Sequence, residues 1–318
     1  MTIRRSARAV TVLVLAAAAL LVLMASRATG PSIAPEAAAL RPVIRPPARA
    51  QEPVRSTYGT LAGPAAEQVG AKLKLGLRSG LLFDLRTGRV LWARDPTRVL
   101  PIASLTKMMT ALVVTAHARR AGQVPITPDA LHYTGSGVGL LPRGKRVPLT
   151  ALLYGLLLPS GNDAAIALAD YVAGTQGRFI ALMNRDAREL GLSCTHFTSV
   201  SGIVDQGNHS CAQDLALLAH LLLEQPLLAR IVASRSAILP FPIKGGKLYL
   251  YNNNPLLALH YPGADGVKTG YTDAAGQCLV ATARRGRTWL GVVLLHSGDT
   301  ATQAQQLLDA GFAKAGRS

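Results

Sequence analysis

Hydrophobic and polar residues recur at two different spacings along this chain. The alternation of apolar and polar residues that is typical of β-strands occurs in two places, near the start of the folded part and again towards the end of the sequence. The first pair of predicted strands, Ser79–Asp84 and Arg89–Ala93, is joined at Arg86–Gly88 by a hairpin turn. Three more strands are predicted at Gly266–Tyr271, Cys278–Ala283 and Trp289–Leu295.

In the stretch between these strands, apolar residues recur every three or four positions, as in amphipathic helices. One buried helical face would consist of Leu105, Met108, Met109, Leu112, Val113 and Ala116. Leu149–Leu158 and Asp163–Ala173 predict two further helices, and Asp299 can cap a last helix that runs to about Ala313. Strands from both ends with helices between them predict an α+β fold, an antiparallel β-sheet flanked by helices with a mostly helical subdomain.

The N-terminal part of the sequence has a different pattern. Three arginines within the first eight residues precede an uncharged, almost wholly apolar run from Ala9 to Ala25. Residues 1–28 are therefore predicted to be a signal peptide or an N-terminal membrane anchor, with the rest exported to the cell-wall or periplasmic side. Cleavage stays open, because the run is long for a signal peptide and slightly short for a span. Residues 29–70, rich in Pro and Ala, predict an extended tether, and residues 71–318 a folded domain.

The composition adds a strong positive charge. Of 318 residues, 34 are Lys or Arg and 17 are Asp or Glu, which gives a net charge of +17. Such a surface favours anionic neighbours, although arginine can also be an ordinary surface residue. The basic residues are scattered without interleaved aromatic residues, and no nucleic-acid-binding motif is present. We therefore expect no nucleic-acid partner.

The number and spacing of the cysteines indicate neither a metal site nor a disulfide framework. The chain has three, Cys194, Cys211 and Cys278, with no CxxC pair and no Cys/His cluster, so we expect no metal site. An odd number also argues against a disulfide framework. Cys194 and Cys211 bracket a loop and could form one bridge, but we expect reduced, buried cysteines.

Three short motifs carry the candidate chemistry, and the first is Ser104-Leu105-Thr106-Lys107. It opens a predicted helix, so Ser104 and Lys107 lie one turn apart on the same face. The helix N-terminus favours negative charge near Ser104, and a desolvated, neutral Lys107 amine could take the hydroxyl proton. Taken alone, a Ser N-cap followed by a surface Lys would be the simpler interpretation.

The other two motifs stand in equally defined settings. The tripeptide Ser160-Gly161-Asn162 connects two predicted buried helices, and its glycine allows a tight turn. The tripeptide Lys268-Thr269-Gly270 lies on a predicted strand, where its glycine would leave room for a substrate backbone. Each motif means little alone, but their order, spacing and settings match the motif set of class A β-lactamases and penicillin-binding proteins.

Over about residues 72–316 the chain resembles the serine D-alanyl-D-alanine carboxypeptidases, the low-molecular-mass penicillin-binding proteins. The segments that carry the resemblance are Pro101–Thr110, Leu158–Ala165, Asp265–Thr272, and Leu190–Leu192 with Thr195–Phe197. The resemblance implies a DD-peptidase/β-lactamase-like fold for residues 71–318. It also implies removal of the terminal D-alanine from peptidoglycan stem pentapeptides in cell-wall maturation, and covalent inhibition by β-lactams.

The resemblance implies a catalytic role for three residues. Ser104 attacks the carbonyl of the penultimate D-alanine and forms an acyl-enzyme, which water then releases. Lys107 is the general base. Ser160 relays a proton towards the leaving D-alanine, while Lys268 provides a positive electrostatic potential at the site.

On the substrate side, the residues implied are Asn162, Lys268, Thr269, Gly270 and Tyr271. Asn162 would bind a side amide of the substrate, and Thr269 would help to hold its terminal carboxylate. The backbone N–H groups of Ser104 and Tyr271 would form the oxyanion hole. No metal or cofactor is implied.

Departures from the family pattern and alternative functions stay open at this point. Tyr271 and Ser201 stand where some members have His, which leaves the contacts there undecided. A DD-endopeptidase or transpeptidase would use the same scaffold and differ only in the acyl acceptor or the bond chosen. A β-lactamase would need a glutamate-directed water, and no Glu-x-x-Leu-Asn segment lies between Ser160 and Lys268. A non-catalytic β-lactam-sensing domain is disfavoured because every nominal catalytic group is present.

Overall fold

The computed structural model of the protein describes Val69, residues 76–119 and residues 121–316. The predicted targeting segment, residues 1–28, lies outside the described residues, and so does the predicted tether, residues 29–70, except for Val69. Residue 71, the predicted start of the folded domain, lies outside them as well.

The described chain contains strands at both ends and helices between them. The strands are β1 (Leu77–Asp84), β2 (Val90–Arg94), β3 (Leu100–Pro101), β4 (Gln123–Pro125), β5 (Arg146–Pro148), β6 (His209–Ser210), β7 (Ser236–Pro240), β8 (Lys247–Tyr251), β9 (Ala264–Thr272), β10 (Gly276–Arg285) and β11 (Thr288–Ser297). The helices are α1 (Lys107–His117), α2 (Pro128–Leu131), α3 (Leu149–Leu157), α4 (Asn162–Ala173), α5 (Gln176–Glu189), α6 (Ala212–Leu223), α7 (Pro226–Ala233), α8 (Pro255–Ala258) and α9 (Thr300–Ala315).

Five strands form the main antiparallel sheet, in the order β2-β1-β11-β10-β9. The strand β1, from the N-terminal part of the domain, pairs with β11 from the C-terminal part. Both ends of the domain therefore contribute strands to the same sheet. The pairs β3 with β6, β4 with β5 and β7 with β8 are small separate ribbons. The prediction of an α+β fold with an antiparallel sheet is confirmed.

The sheet is buried on both faces because its strands alternate between two apolar sides. In β11, Leu290, Val292 and Leu294 pack in one cluster with the apolar face of α9. Val293 and Leu295 belong to the other cluster, which includes the helical region around α1. This alternation is the period-two pattern of a strand that is covered on each face. At the edge of the sheet, β9 packs against the helix α7.

Most predicted boundaries agree with the structure to within a few residues, and one element differs. Residues Ala103–Thr106 form a 3₁₀ turn, here called the Ser104 turn, and the helix α1 begins only at Lys107. Ala103 adopts a left-handed backbone with φ of 47°, which no α-helix accepts. The prediction that Ser104 opens the helix itself was therefore one turn too early.

The expectation of reduced cysteines was wrong for two of the three. Cys194 and Cys211 form a disulfide, with Cα atoms 5.6 Å apart, and Cys278 is free and buried. The chain between the two cysteines returns on itself through the His196–His209 bridge, which brings their backbones together. Sequence spacing could not reveal this pairing, because it depends on that fold of the loop.

Among the helices in the described part of the chain, none is by itself long and apolar enough to cross a membrane. The helices α6 and α7 reach that length and composition only as a pair, with a bend of 106° between them.

Candidate active site

A cleft of about 450 Å³ opens between the Ser104 turn, the edge strand β9 and the loop that precedes α4. Its lining is Ser104, Ser136, Ser160, Asn253, Pro255, Thr269, Gly270, Tyr271, Gln277, Cys278 and Thr300. Five of the eight predicted site residues are among them: Ser104, Ser160, Thr269, Gly270 and Tyr271. The other three, Lys107, Asn162 and Lys268, are buried directly behind this surface.

Two glycines hold the Ser104 turn in place because they allow backbone to approach backbone. A Cβ atom on Gly270 would lie 3.0 Å from the carbonyl oxygen of Ile102 and 3.1 Å from the nitrogen of Ser104. A Cβ atom on Gly202 would collide with the carbonyl of Ala103. Gly270 therefore makes room for the Ser104 turn, and its predicted role in leaving space for a substrate backbone stays a prediction.

Lys107 is fully buried, and three oxygen atoms surround its amine. The distances from Lys107 Nζ are 2.8 Å to Ser104 Oγ, 2.7 Å to Asn162 Oδ1 and 2.7 Å to the carbonyl oxygen of Ser201. Two of these oxygens can only accept hydrogen bonds. A neutral amine would donate its two N–H bonds to them and keep its lone pair for the Ser104 hydroxyl proton.

The electrostatic surroundings favour that neutral form. Burial, followed by the nearby charge of Lys268, holds the pKa of Lys107 well below its usual value, and Asp163 opposes this shift. A lysine amine becomes a useful base in this way, since a charged ammonium has no lone pair to accept a proton.

Ser160 is held in an unusual backbone conformation with its hydroxyl group buried. Its φ is 68°, in the left-handed region, and its Oγ has no hydrogen-bond partner among the described residues. A buried hydroxyl group without a partner is costly and is expected where a ligand supplies the missing bond. The adjacent Gly161 donates its backbone N–H to the carbonyl of Gly155, which fixes the tight turn.

Asn162 lies against Lys107 rather than on the wall of the cleft. Its Oδ1 accepts from the Lys107 amine and its Nδ2 donates to the carbonyl of Thr134. The side chain is 3% exposed. These contacts orient the amine and the loop that carries Thr134, and the predicted role of Asn162 in binding a substrate amide stays a prediction.

Lys268 is the second buried lysine of the site, with 1% of its surface exposed. Its Nζ donates to the carbonyl oxygen of its neighbour Thr269 at 2.9 Å. Burial lowers the pKa of Lys268 to about 7. The side chain is not part of the cleft lining, and its charge contributes to the lowered pKa of Lys107.

Thr269 and Tyr271 present side chains to the open part of the cleft. Thr269 is half-buried, and Tyr271 is 64% exposed, with its hydroxyl group donating to Asp273 Oδ1 at 3.1 Å. The next residue, Thr272, donates to Asp205 Oδ1 at 2.7 Å, which links the end of β9 to the loop that follows Gly202.

The D-alanyl-D-alanine carboxypeptidase family model matches residues 66–298 of this chain. The chain belongs to the D-alanyl-D-alanine carboxypeptidase family. It is 32% identical to the D-alanyl-D-alanine carboxypeptidase DacF of Bacillus subtilis strain 168, over 74% of this chain and 62% of the relative. It is 37% identical to DacA of Escherichia coli K12, over 70% of this chain and 55% of the relative. The chain thus spans little more than half the length of these relatives.

The fold of this D-alanyl-D-alanine carboxypeptidase family member also matches solved structures. The Streptomyces K15 DD-transpeptidase superposes with a TM-score of 0.72 at 32% identity, covering 76% of this chain and 99% of that protein. The DD-peptidase fold that the family resemblance implied is thereby confirmed.

Several groups that build the site of this family member were not predicted from its sequence. Ser136 lines the cleft, and its carbonyl accepts from the Asn162 backbone N–H. Asp163 accepts from the backbone N–H groups of Val138 and Gly139, which fixes the loop carrying Ser136. An Asp that directly follows the SxN motif was a usable signal, but the carbonyl of Ser201 carries none, because every residue has one.

Potential metal and carboxylate chemistry is limited in the described part of this family member. One group of possible metal ligands comes together there, Cys194, Cys211 and Asp214, and its two sulfur atoms are bonded to each other. None of the described residues that line the cleft is acidic. The carboxylate that would direct a deacylating water in a class A β-lactamase has no counterpart on this lining.

Proposed function

We propose that this chain is a serine D-Ala-D-Ala carboxypeptidase that removes the terminal D-alanine from peptidoglycan stem pentapeptides. The observation that carries the proposal is the pair formed by Ser104 Oγ and Lys107 Nζ, 2.8 Å apart at the base of the cleft. A hydroxyl group in contact with a desolvated amine is an activated nucleophile. The family membership and the names of the relatives DacF and DacA support the same reaction.

In the proposed acylation, Lys107 takes the Ser104 proton as Oγ attacks the carbonyl carbon of the penultimate D-alanine. The backbone N–H groups of Ser104 and Tyr271 stabilise the oxyanion. The C–N bond then breaks, and the leaving amine receives a proton through Ser160, whose hydroxyl group is otherwise without a partner. A water molecule hydrolyses the ester and regenerates Ser104.

Recognition of the terminal carboxylate falls to Thr269, with help from the positive charge of Lys268. The Thr269 side chain lines the cleft, and Lys268 lies directly behind it. A hydroxyl group backed by a cation favours an anionic end group, an interaction worth roughly 1.5–3 kcal/mol. A peptide with a free C-terminal D-Ala-D-Ala should therefore be cleaved much faster than its amidated counterpart, with one D-alanine released per turnover. Equal rates would favour a DD-endopeptidase.

A DD-transpeptidase is the second candidate, favoured by the similarity to the Streptomyces K15 DD-transpeptidase. It would form the same acyl-enzyme and transfer the acyl group to an amine instead of water. Incubation with a pentapeptide and an amine acceptor, followed by mass spectrometry, separates the two. Tetrapeptide as the main product supports the carboxypeptidase, and a cross-linked product supports the transpeptidase.

Covalent labelling by a fluorescent penicillin tests the nucleophile directly. Wild-type protein should be labelled, because β-lactams acylate the serine that attacks D-Ala-D-Ala, and Ser104→Ala should not be labelled. Labelling that survives this substitution would remove Ser104 from the mechanism. Labelling of wild type without any peptide turnover would point instead to a β-lactam-sensing domain.

Export of the folded domain is part of the proposal, since its substrate lies outside the cytoplasm. The support is the arginine-led apolar run at Ala9–Ala25. A reporter fused after Ser318 should be active only outside the cytoplasm. Mass spectrometry of the mature N-terminus then distinguishes a membrane anchor from a signal peptide, because a start beyond residue 28 rules out the anchor.

A further inference from the structure

The chain between the two bonded cysteines, here called the Cys194–Cys211 segment, contacts the Ser104 turn and α1 at several points. The carbonyl of Ser201 lies 2.7 Å from Lys107 Nζ, and the carbonyl of Val200 accepts from Thr110 Oγ1 at 2.6 Å. Both acceptors are backbone atoms. Their positions are therefore set by the path of the segment rather than by the identity of a side chain.

The same segment also supports the Ser104 turn. The side-chain amide of Asn208 donates to Thr106 Oγ1 at 2.8 Å, and Thr106 in turn donates to the carbonyl of Ala103 at 2.8 Å. Within the segment β6 pairs with β3, immediately before the turn. Gly202 packs on the Ala103 carbonyl. A shift of the segment would consequently move the nucleophile and its base together.

The segment contains little regular structure, so its path depends on these contacts and on how its two ends are fixed. Its one element is the two-residue strand β6. At the ends, the disulfide joins Cys194 to Cys211, the buried residue at the N-terminus of α6. Asp214 of that helix accepts from the Cys194 backbone N–H at 2.8 Å and from Thr195 Oγ1 at 2.7 Å.

We infer that the Cys194–Cys211 disulfide is a positioning device for the acylation chemistry, which keeps the Ser201 carbonyl on the Lys107 amine and the Asn208 amide under the Ser104 turn. The inference rests on the proposed function, because the disulfide is inferred to position Lys107, the general base of that reaction. A covalent closure across a sequence separation of 17 residues limits the conformations open to the segment. Hydrogen bonds alone would leave the irregular loop freer to move away from Lys107.

The experiment compares the oxidised wild type with the double variant Cys194→Ser/Cys211→Ser, and with wild type reduced by dithiothreitol. The rate of acylation by a fluorescent penicillin is measured against pH for each. Acylation should fall by at least about 10-fold in the reduced and variant proteins, because small displacements of reacting groups cost rates of this order. Hydrogen exchange should increase at the amides of residues 195–210.

The pH profile separates positioning from simple stability. The charged groups acting on Lys107 are Lys268, which lowers its pKa, and Asp163, which raises it, but burial is the largest cause of the lowered pKa. Water that enters when the segment loosens would raise that pKa towards its usual value. The acidic limb of the acylation profile should therefore move to higher pH without the disulfide.

The control is Leu307→Ala, a buried position of α9 in the apolar cluster on the other side of the sheet. It should lower the melting temperature without changing the pH profile. The inference is wrong if the disulfide-free protein is acylated at the wild-type rate. It is also wrong if the rate of acylation falls only as far as in the control and the pH profile does not shift. Failure of the proposed function is a separate result, since the fluorescent penicillin would then label the Ser104→Ala variant with its disulfide intact.

Discussion

At the scale of single residues, the two buried lysines of the site differ in what their amines contact. Lys107 Nζ meets Ser104, Asn162 and the Ser201 carbonyl, whereas Lys268 Nζ meets the backbone carbonyl of Thr269. Only the first of them therefore touches a reactive hydroxyl group. The second contributes a charge, which lowers the pKa of the first.

Replacement of Lys107 by Arg tests whether a neutral amine is needed. A guanidinium group stays charged at every accessible pH, so it cannot accept the Ser104 proton. We expect Lys107→Arg to reduce the rate of acylation by a penicillin by at least about 10²-fold, the usual scale for loss of a general base. Lys247→Arg, on the exposed β8 lysine, is the matched control and should acylate normally. A normal rate in Lys107→Arg would make the lysine structural.

The residues of the site were predictable from sequence where a side chain carries the chemistry. Ser104 and Lys107 meet as their spacing of one turn predicts, even though the turn is 3₁₀ rather than α-helical. The substrate role of Asn162 stays a prediction, while its contacts to Lys107 and Thr134 could not be predicted because they depend on distant loops. The Ser201 carbonyl could not be predicted, because a backbone acceptor leaves no pattern in the sequence.

At the scale of secondary structure, the site depends on close packing of the edge strand β9 against the Ser104 turn. Gly270 lies opposite Cys278 in the sheet register and faces Ile102, Ala103 and Ser104 across the edge. Since β10 fixes β9 from one side, the strand is a rigid support for the turn. A single antiparallel sheet built from strands at both ends of the chain was predicted, but neither its strand order nor this contact between strand and turn was.

The substitution Gly270→Ala tests this packing. The added Cβ would lie 3.0 Å from the Ile102 oxygen and 3.1 Å from the Ser104 nitrogen, so backbone atoms would have to move by some tenths of an ångström. We expect a loss of about 1–3 kcal/mol in the free energy of unfolding, as for other overpacked sites. Acylation should fall about 10-fold or more through displacement of Ser104.

The matched control for Gly270→Ala is Gly177→Ala in α5, where an added Cβ meets nothing within 4 Å. That control should be neutral or stabilise by about 0.5–1 kcal/mol, because alanine favours a helix. Urea unfolding and penicillin acylation give both quantities for each variant. If Gly270→Ala acylates as fast as Gly177→Ala, the strand does not determine where Ser104 lies.

At the scale of the whole molecule, the domain buries two lysines in a chain that already carries a net charge of +17. Burial of a charged amine opposes folding, so the site should cost the protein stability wherever these lysines are protonated. A functional site that reduces stability is common, since the groups it needs are not those a core prefers. Because this cost depends on protonation, the free energy of unfolding should change with pH.

Measurement of stability against pH tests this cost through Lys268. Its pKa is about 7 in the folded protein and 10.5 as the ordinary value, so between these the unfolded chain binds a proton that the folded one does not. The free energy of unfolding should therefore rise with pH across this window, by up to about 1.4 kcal/mol per pH unit for this one group. Lys268→Met should be more stable than wild type below pH 7 and should lose that part of the slope, while Lys247→Met, at an exposed position, should keep it. Urea unfolding at several pH values gives the slopes, and an unchanged slope in Lys268→Met would show that Lys268 stays protonated in the folded protein.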